Sequence, residues 1–201
     1  MSQHLSKKEL IHESHLFVIN NIIPSGYNEI YRRSVTIDKE KAELVRFQPA
    51  GCTTVKPGSE HVSIITADSG YIKGFTRMLA FLATGELPTK EEAEDVAIKL
   101  LHAIAPDLLP YVEIHWIKPH SEHISVMHQN TMVKLEIRGM KVKMRNKSDN
   151  RWMWVIVGTD KLPIVFERDI IWLTFPGQRK TEKWLHDAWL MDKIESCYSD
   201  S

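Results

Sequence analysis

Twenty-six basic and 26 acidic side chains cancel across 201 residues, so no global field draws the chain toward nucleic acid or anionic lipid, and such a partner would need a local patch. A hydrophobic share of 43% beside 26% charged residues excludes a disordered chain and predicts a folded core. No run approaches the roughly 18 to 20 apolar residues that span a bilayer, so no transmembrane segment is expected.

Ser6 and Glu9 have the spacing of a capping box and open a first helix, with Leu10, Phe17 and Ile22 near its buried side and Pro24 closing it. Lys7 and Lys8 precede the apolar stretch Leu16 to Ile19, but Glu9, His12, Glu13 and His15 intervene and Asn20 and Asn21 cut the stretch short, which makes a poor export signal. Tyr27 to Ile37 and Ala42 to Phe47 flank Asp38-Lys39-Glu40-Lys41 as a hairpin, and residues 48–59, with Pro49, Gly51, Pro57 and Gly58, form the longest loop. Cys52 in that loop and Cys197 in the polar tail do not have the spacing of a zinc ligand set or a disulfide framework. A reducing, cytoplasmic setting is expected, or an extracytoplasmic one if an export signal has been removed.

Two apolar-alternating runs, residues 61–67 and 71–77, meet at Asp68-Ser69-Gly70. After Pro88, Thr89 and Glu92 form a second capping box, and Ala93, Val96, Ala97, Leu100, Leu101 and Ile104 line one face of a helix that Pro106 ends. Beyond Pro110 strands are predicted at Tyr111 to Lys118, Ile124 to His128, Met132 to Arg145, Trp152 to Val157 and Ile164 to Phe175. A third helix comes after Gly177, starting near Thr181, with Trp184, Leu185, Ala188 and Trp189 on one face. The gaps between strands are hairpin-length, too short for the dozen or so residues of a parallel crossover. The fold class is therefore α+β, antiparallel sheets covered by helices.

Helix-then-strands occurs twice. The chain divides at Gly85-Glu86-Leu87-Pro88 into residues 1–85 and 86–201, unless a single continuous sheet spans both halves. A loose recurrence places Asp38, Asp68 and Asp160 in turns, each followed by a strand ending at Phe47, Phe75 or Phe166; the unequal spacings read as shared hairpin design.

Residues 66–75, Thr-Ala-Asp-Ser-Gly-Tyr-Ile-Lys-Gly-Phe, followed by residues 88–97, Pro-Thr-Lys-Glu-Glu-Ala-Glu-Asp-Val-Ala, resemble the strand, Asp/Gly turn, strand and helix of PepSY-type domains. The likeness covers about a quarter of the chain, mainly residues 61–105. It implies cystatin-like units, a helix laid across an antiparallel sheet, and a non-catalytic module that binds peptide or protein.

Three clusters are candidates for chemistry. His115, His120 and His123 gather around Pro119 and, as imidazoles on one hairpin, could hold zinc or a transition metal; solvated polar edges are the plainer explanation. Lys141, Lys143 and Arg145 alternate with Met140, Val142 and Met144, stacking three cations on one strand face. With Trp152 and Trp154 on the next strand they could serve single-stranded nucleic acid. That neighbouring strand alternates as one buried on both sides, which leaves no open platform, so nucleic-acid binding is not expected. The last quarter of the chain is rich in aromatic rings, and a pocket among Trp154, Arg168, Trp172, Trp184 and His186 competes with plain core packing. No phosphate loop, nucleophile elbow, paired-Cys motif or EF-hand loop occurs, and no cofactor is implied. The sequence reads as a binding module acting through a sheet face or edge strand. The alternative is a small-molecule pocket or enzyme site in the Trp-rich region.

Overall fold

The computed structural model describes residues 6–129, 131–173 and 177–195. Within them α1 (Lys7–Asn21) leads into four strands, β1 (Tyr27–Ile37), β2 (Glu40–Pro49), β3 (His61–Ala67) and β4 (Ile72–Met78). Then α2 (Lys90–Ile104) leads into four more, β5 (Val112–His128), β6 (Thr131–Asn146), β7 (Trp152–Gly158) and β8 (Pro163–Ile170). A two-residue pair, β9 (Trp172–Leu173) and β10 (Gln178–Arg179), precedes α3 (Asp187–Glu195). The eight long strands make one sheet in the order β1-β2-β3-β4-β8-β7-β6-β5, with each neighbour antiparallel. The protein is α+β with most of its structure in sheet.

Both capping boxes form. The Thr89 hydroxyl accepts the Glu92 N–H at 3.1 Å while the Glu92 carboxylate accepts the Thr89 N–H at 2.9 Å, and Ser6 and Glu9 repeat the pattern at α1. These bonds satisfy N–H groups that a helix start leaves without partners.

The strand period of two sorts side chains onto the two sheet faces. On one face Phe75, Val142, Met144, Val155 and Phe166 pack with Val18 and Ile22 near α1 and with Ala97, Leu100, Leu101 and Ile104 of α2. On the other, Leu44, Ile65, Met78, Trp154 and Ile156 pack with Trp184, Leu185 and Leu190 from the C-terminal segment. The halves join where Phe75 of β4 faces Phe166 of β8, their ring centroids 6.2 Å apart and both rings fully buried.

Three elements differ from the sequence expectation. Pro119 does not split its segment, and β5 runs unbroken over Val112–His128. It is an edge strand of the sheet, where a residue without an N–H can face away from the ladder. The strand predicted to reach Phe175 ends at Ile170, after Asp169 takes a left-handed φ of 64°; β9 comes next, and residues 174 and 175 lie outside the described residues. The last helix begins at Asp187 rather than near Thr181. Residues 181–186 stay non-helical because Arg179 binds the Thr181 and Glu182 carbonyls and Trp184 is pinned into the core.

Gly74 explains that pin. A Cβ there would lie 2.3 Å from the Phe166 carbonyl oxygen and 2.7 Å from the Trp184 ring, so the indole occupies space that only glycine leaves open. Phe75→Ala should lower unfolding free energy by about 3–5 kcal/mol, as for other buried aromatic truncations. Phe81→Ala, at a residue 57% exposed, should change it by less than about 0.5 kcal/mol, both variants being compared with the unaltered protein by urea titration.

Candidate functional site

The sheet face toward the C-terminal segment carries polar groups far out of proportion to its apolar surroundings. Arg46 of β2 is 1% exposed. It donates to both carboxylate oxygens of Asp187 at 2.6 and 3.0 Å and to the Ser63 hydroxyl at 3.2 Å. The Gly58 N–H also donates to Asp187. Gln48 bonds the Lys56 carbonyl and N–H and the Glu60 carbonyl, folding loop 50–60 against the same end. A second buried ion pair joins Glu167 of β8 to Arg179 of β10, with side chains 3% and 5% exposed. Two salt bridges thus hold the C-terminal segment across the sheet, and removing one partner from such a pair strands a buried charge.

Between these tethers lies a cavity of about 210 Å³. Its walls come from distant parts of the chain: His61 and Thr76 from β3 and β4, His120, Glu122 and His123 from β5, Lys141 from β6, Trp154 from β7, Glu167 from β8, and His186 and Asp187 at the start of α3. The tip of the β5–β6 hairpin closes one side, where the Ser125 N–H donates to the Gly58 carbonyl at 2.6 Å.

Charges here are shifted by identifiable causes. Burial lowers the Lys141 ammonium to about 8, with Lys143 and Arg179 adding to the effect and Glu167 and Glu122 opposing it. The Lys141 ammonium lies 3.8 Å from the centre of the Trp154 ring, a cation–π contact that stands in for lost water. Burial raises Glu167 in spite of Arg179. Burial also works to raise Glu122 and Asp187, yet both end below the usual carboxylate range. His120, at 2.9 Å, holds Glu122 charged, and His61, Arg46 and the Gly58 N–H hold Asp187 charged. His61 is pushed down to about 4 by burial and by Arg46, against Asp187 and the Ser59 carbonyl. The Thr76 hydroxyl, in a side chain 4% exposed, has no hydrogen-bond partner among the described residues.

The five residues proposed as a pocket are placed in different surroundings. Trp154 and His186 line the cavity. Trp184 is buried beside Gly74. Arg168 is next to Glu167 along β8 and so projects to the opposite face, where it binds Asp107 at 2.6 and 3.1 Å and lies over the Tyr71 ring. Trp172 is 44% exposed, its ring 5.5 Å from the Lys143 ammonium. Of the three histidines, His120 and His123 reach the cavity. His115 sits at the irregularity between Ile114 and Trp116 and packs on Trp152 with centroids 5.0 Å apart. Among the described residues no group of three or more His, Cys, Asp or Glu side chains is arranged to hold a metal ion.

Sequence reasoning passed over His61, Thr76 and Asp187, for which no linear signal exists. Glu167 did carry one, as the first of the charged residues Glu167-Arg168-Asp169 that follow the apolar run Ile164 to Phe166. No family model matches the chain, and neither the curated proteins nor the solved structures include a significant match to it.

The His61 ring makes stability depend on pH. Below the ordinary histidine value the unfolded imidazole takes up a proton that the folded one refuses, so the stability linked to His61 is complete above about pH 6.5 and is lost as pH falls toward 4. The loss should approach about 3 kcal/mol at the acid limit. Urea titrations between pH 7 and 4 should show it, and His61→Gln should flatten that part of the profile; an unchanged profile would assign the acid sensitivity elsewhere.

Proposed function

We propose that this protein binds a small polar molecule in the cavity beneath its C-terminal segment, with Lys141 and Thr76 making direct contacts. The observation that carries this reading is a hydrogen-bonding deficit on the cavity wall. Among the described residues the buried Thr76 hydroxyl has no hydrogen-bond partner and Lys141 has no salt bridge, its charge resting on the Trp154 ring. Buried polar groups are nearly always satisfied; a ligand with an acceptor atom would satisfy the Thr76 hydroxyl and pair with the half-buried Lys141 ammonium. The cavity volume suits a molecule of a few heavy atoms, below the range of most drug-sized sites. The surrounding His120–Glu122, Asp187–Arg46 and Glu167–Arg179 pairs supply preorganised charge.

A second reading, recognition of a peptide or protein, is favoured by the tip of the β5–β6 hairpin. Met127 and Met132 are partners across it and are 65% and 58% exposed, with Val133 beside them at 36%. Exposed methionines are common on adaptable binding surfaces. The PepSY likeness of residues 61–105 belongs with this reading: β3, the turn at 68–70, β4 and the capped α2 come in the order of that family's motif. Each half, a helix followed by four meandering strands, is taken as a cystatin-like unit on the same basis. No helix among the described residues is long and apolar enough to cross a membrane, and the cytoplasm is the proposed setting.

Ligand-detected NMR with a library of small carboxylates, carbonyl compounds and alcohols should find binders. Thr76→Val and Lys141→Met should each weaken them about tenfold or more, the value of one lost hydrogen bond to a charged or buried group. Trp172→Ala, at an exposed site off the cavity, should leave binding unchanged. Binders indifferent to both cavity variants would overturn the assignment.

A further inference from the structure

Lysines elsewhere in the molecule show how this fold holds an ammonium when its role is structural. Lys73, 5% exposed, has the Glu40 carboxylate at 2.5 Å and Asp169 at 3.8 Å; Lys99 has Asp95 and Lys161 has Glu92, both at 2.6 Å. Lys143, one rung along β6 from the cavity, lies among three indoles, with ring centres at 4.1, 5.5 and 5.6 Å. Lys141 is built differently. It opens into the cavity, and the carboxylates nearest in its electrostatic environment are already engaged, Glu122 by His120 and Glu167 by Arg179. An amine that is desolvated, set in a cavity and not locked by a counter-ion has the requirements of a Schiff-base lysine.

We propose that Lys141 is a nucleophile that condenses with the carbonyl carbon of a small aldehyde or α-keto acid bound in the cavity, a step that rests on the small-molecule reading above. The neutral amine donates its lone pair to the carbonyl carbon and the carbonyl π pair moves to oxygen; the nitrogen then gives up its first proton and the oxygen takes one, leaving a neutral carbinolamine. That carbinolamine loses its oxygen as water, with a second proton delivered to the oxygen and the second proton leaving the nitrogen, so amine plus carbonyl give imine plus water with no change of oxidation state. The hydrogen-bonded His120–Glu122 pair lines the same cavity and is placed to exchange those protons. The Thr76 hydroxyl supplies a donor for the carbinolamine oxygen. Burial, helped by Lys143 on β6 and Arg179 on β10, brings Lys141 to about 8 against Glu167 on β8 and Glu122 on β5, and the Trp154 face on β7, His61 on β3, His120 and His123 on β5, and His186 and Asp187 by α3 complete the surroundings of the cavity.

The test is reductive trapping on the full chain. Protein is incubated with glyoxylate and cyanoborohydride at pH 7, and peptide mapping by mass spectrometry tracks carboxymethyl addition at each lysine. Lys141 should be modified about tenfold or more faster than Lys143 or any surface lysine, because a larger share of it is neutral, with a rate that levels off above about pH 8. Modification of Lys141 no faster than of the surface lysines overturns the proposal. Lys141→Arg keeps a cation on Trp154 and removes the nucleophile. It should abolish the preferred adduct while retaining the thermal stabilisation that glyoxylate gives without reductant. Stabilisation of the unaltered protein without preferred labelling of Lys141 sinks the covalent step and leaves the binding site standing. Absence of both sinks the carbonyl proposal, while the ligand screen decides the pocket separately.

Discussion

Gly74, Phe75 and Thr76 of β4 pair with Glu167, Phe166 and Val165 of β8, and this short antiparallel ladder is where two four-strand meanders become one sheet. Its alternation distributes the molecule's work between the two faces. Phe75 and Phe166 turn toward the helices α1 and α2 and anchor that core. Gly74, Thr76 and Glu167 turn the other way, where they supply in turn a gap for the Trp184 ring, a hydroxyl with no partner among the described residues and a buried carboxylate. A one-residue slip of either strand would turn its set to the other face and place a phenyl ring in the cavity.

The second face depends on charge as much as on apolar burial. Arg46 and Asp187 at one end, and Glu167 and Arg179 at the other, hold the C-terminal segment down while Trp184, Leu185 and Leu190 fill the space between. Buried ion pairs of this kind contribute little net stability compared with hydrophobic replacements, but they fix geometry and penalise alternatives strongly. Here that geometry keeps a cavity open beside a lysine. An entirely apolar closure could collapse onto the sheet, whereas paired charges must keep their directions and distances.

Much of the fold was legible locally. The capping boxes at Ser6 and Thr89, the Asp68-Ser69-Gly70 turn and the apolar alternation of 152–157 act over a few residues, so a linear reading captures them. The errors fell where a remote partner overrode local preference. Trp184 and Leu185 sit at helical spacing with Ala188 and Trp189, yet the gap above Gly74 and the Arg179 bonds keep the segment before Asp187 out of the helix. Pro119 breaks strands in general, but at a sheet edge its missing donor costs nothing.

The candidate site was half visible in the same way. Trp154, His120, His123 and His186 were marked by composition and clustering, and Lys141 by its alternation with apolar residues, because those features lie within a few positions of one another. Arg168 was drawn in by its neighbours in sequence and excluded by strand parity, which sends adjacent side chains to opposite faces. By itself, the sequence determined the two capped helices, most of the strands and that the strands run antiparallel, since propensity, caps and short connections act locally. Only the tertiary structure decided that β4 meets β8, that Asp187 closes onto Arg46 across 141 positions, and that one lysine of the basic strand faces a cavity while its neighbour is enclosed by indoles. Such choices are made by long-range burial and charge pairing, which leave no mark on any single stretch of chain.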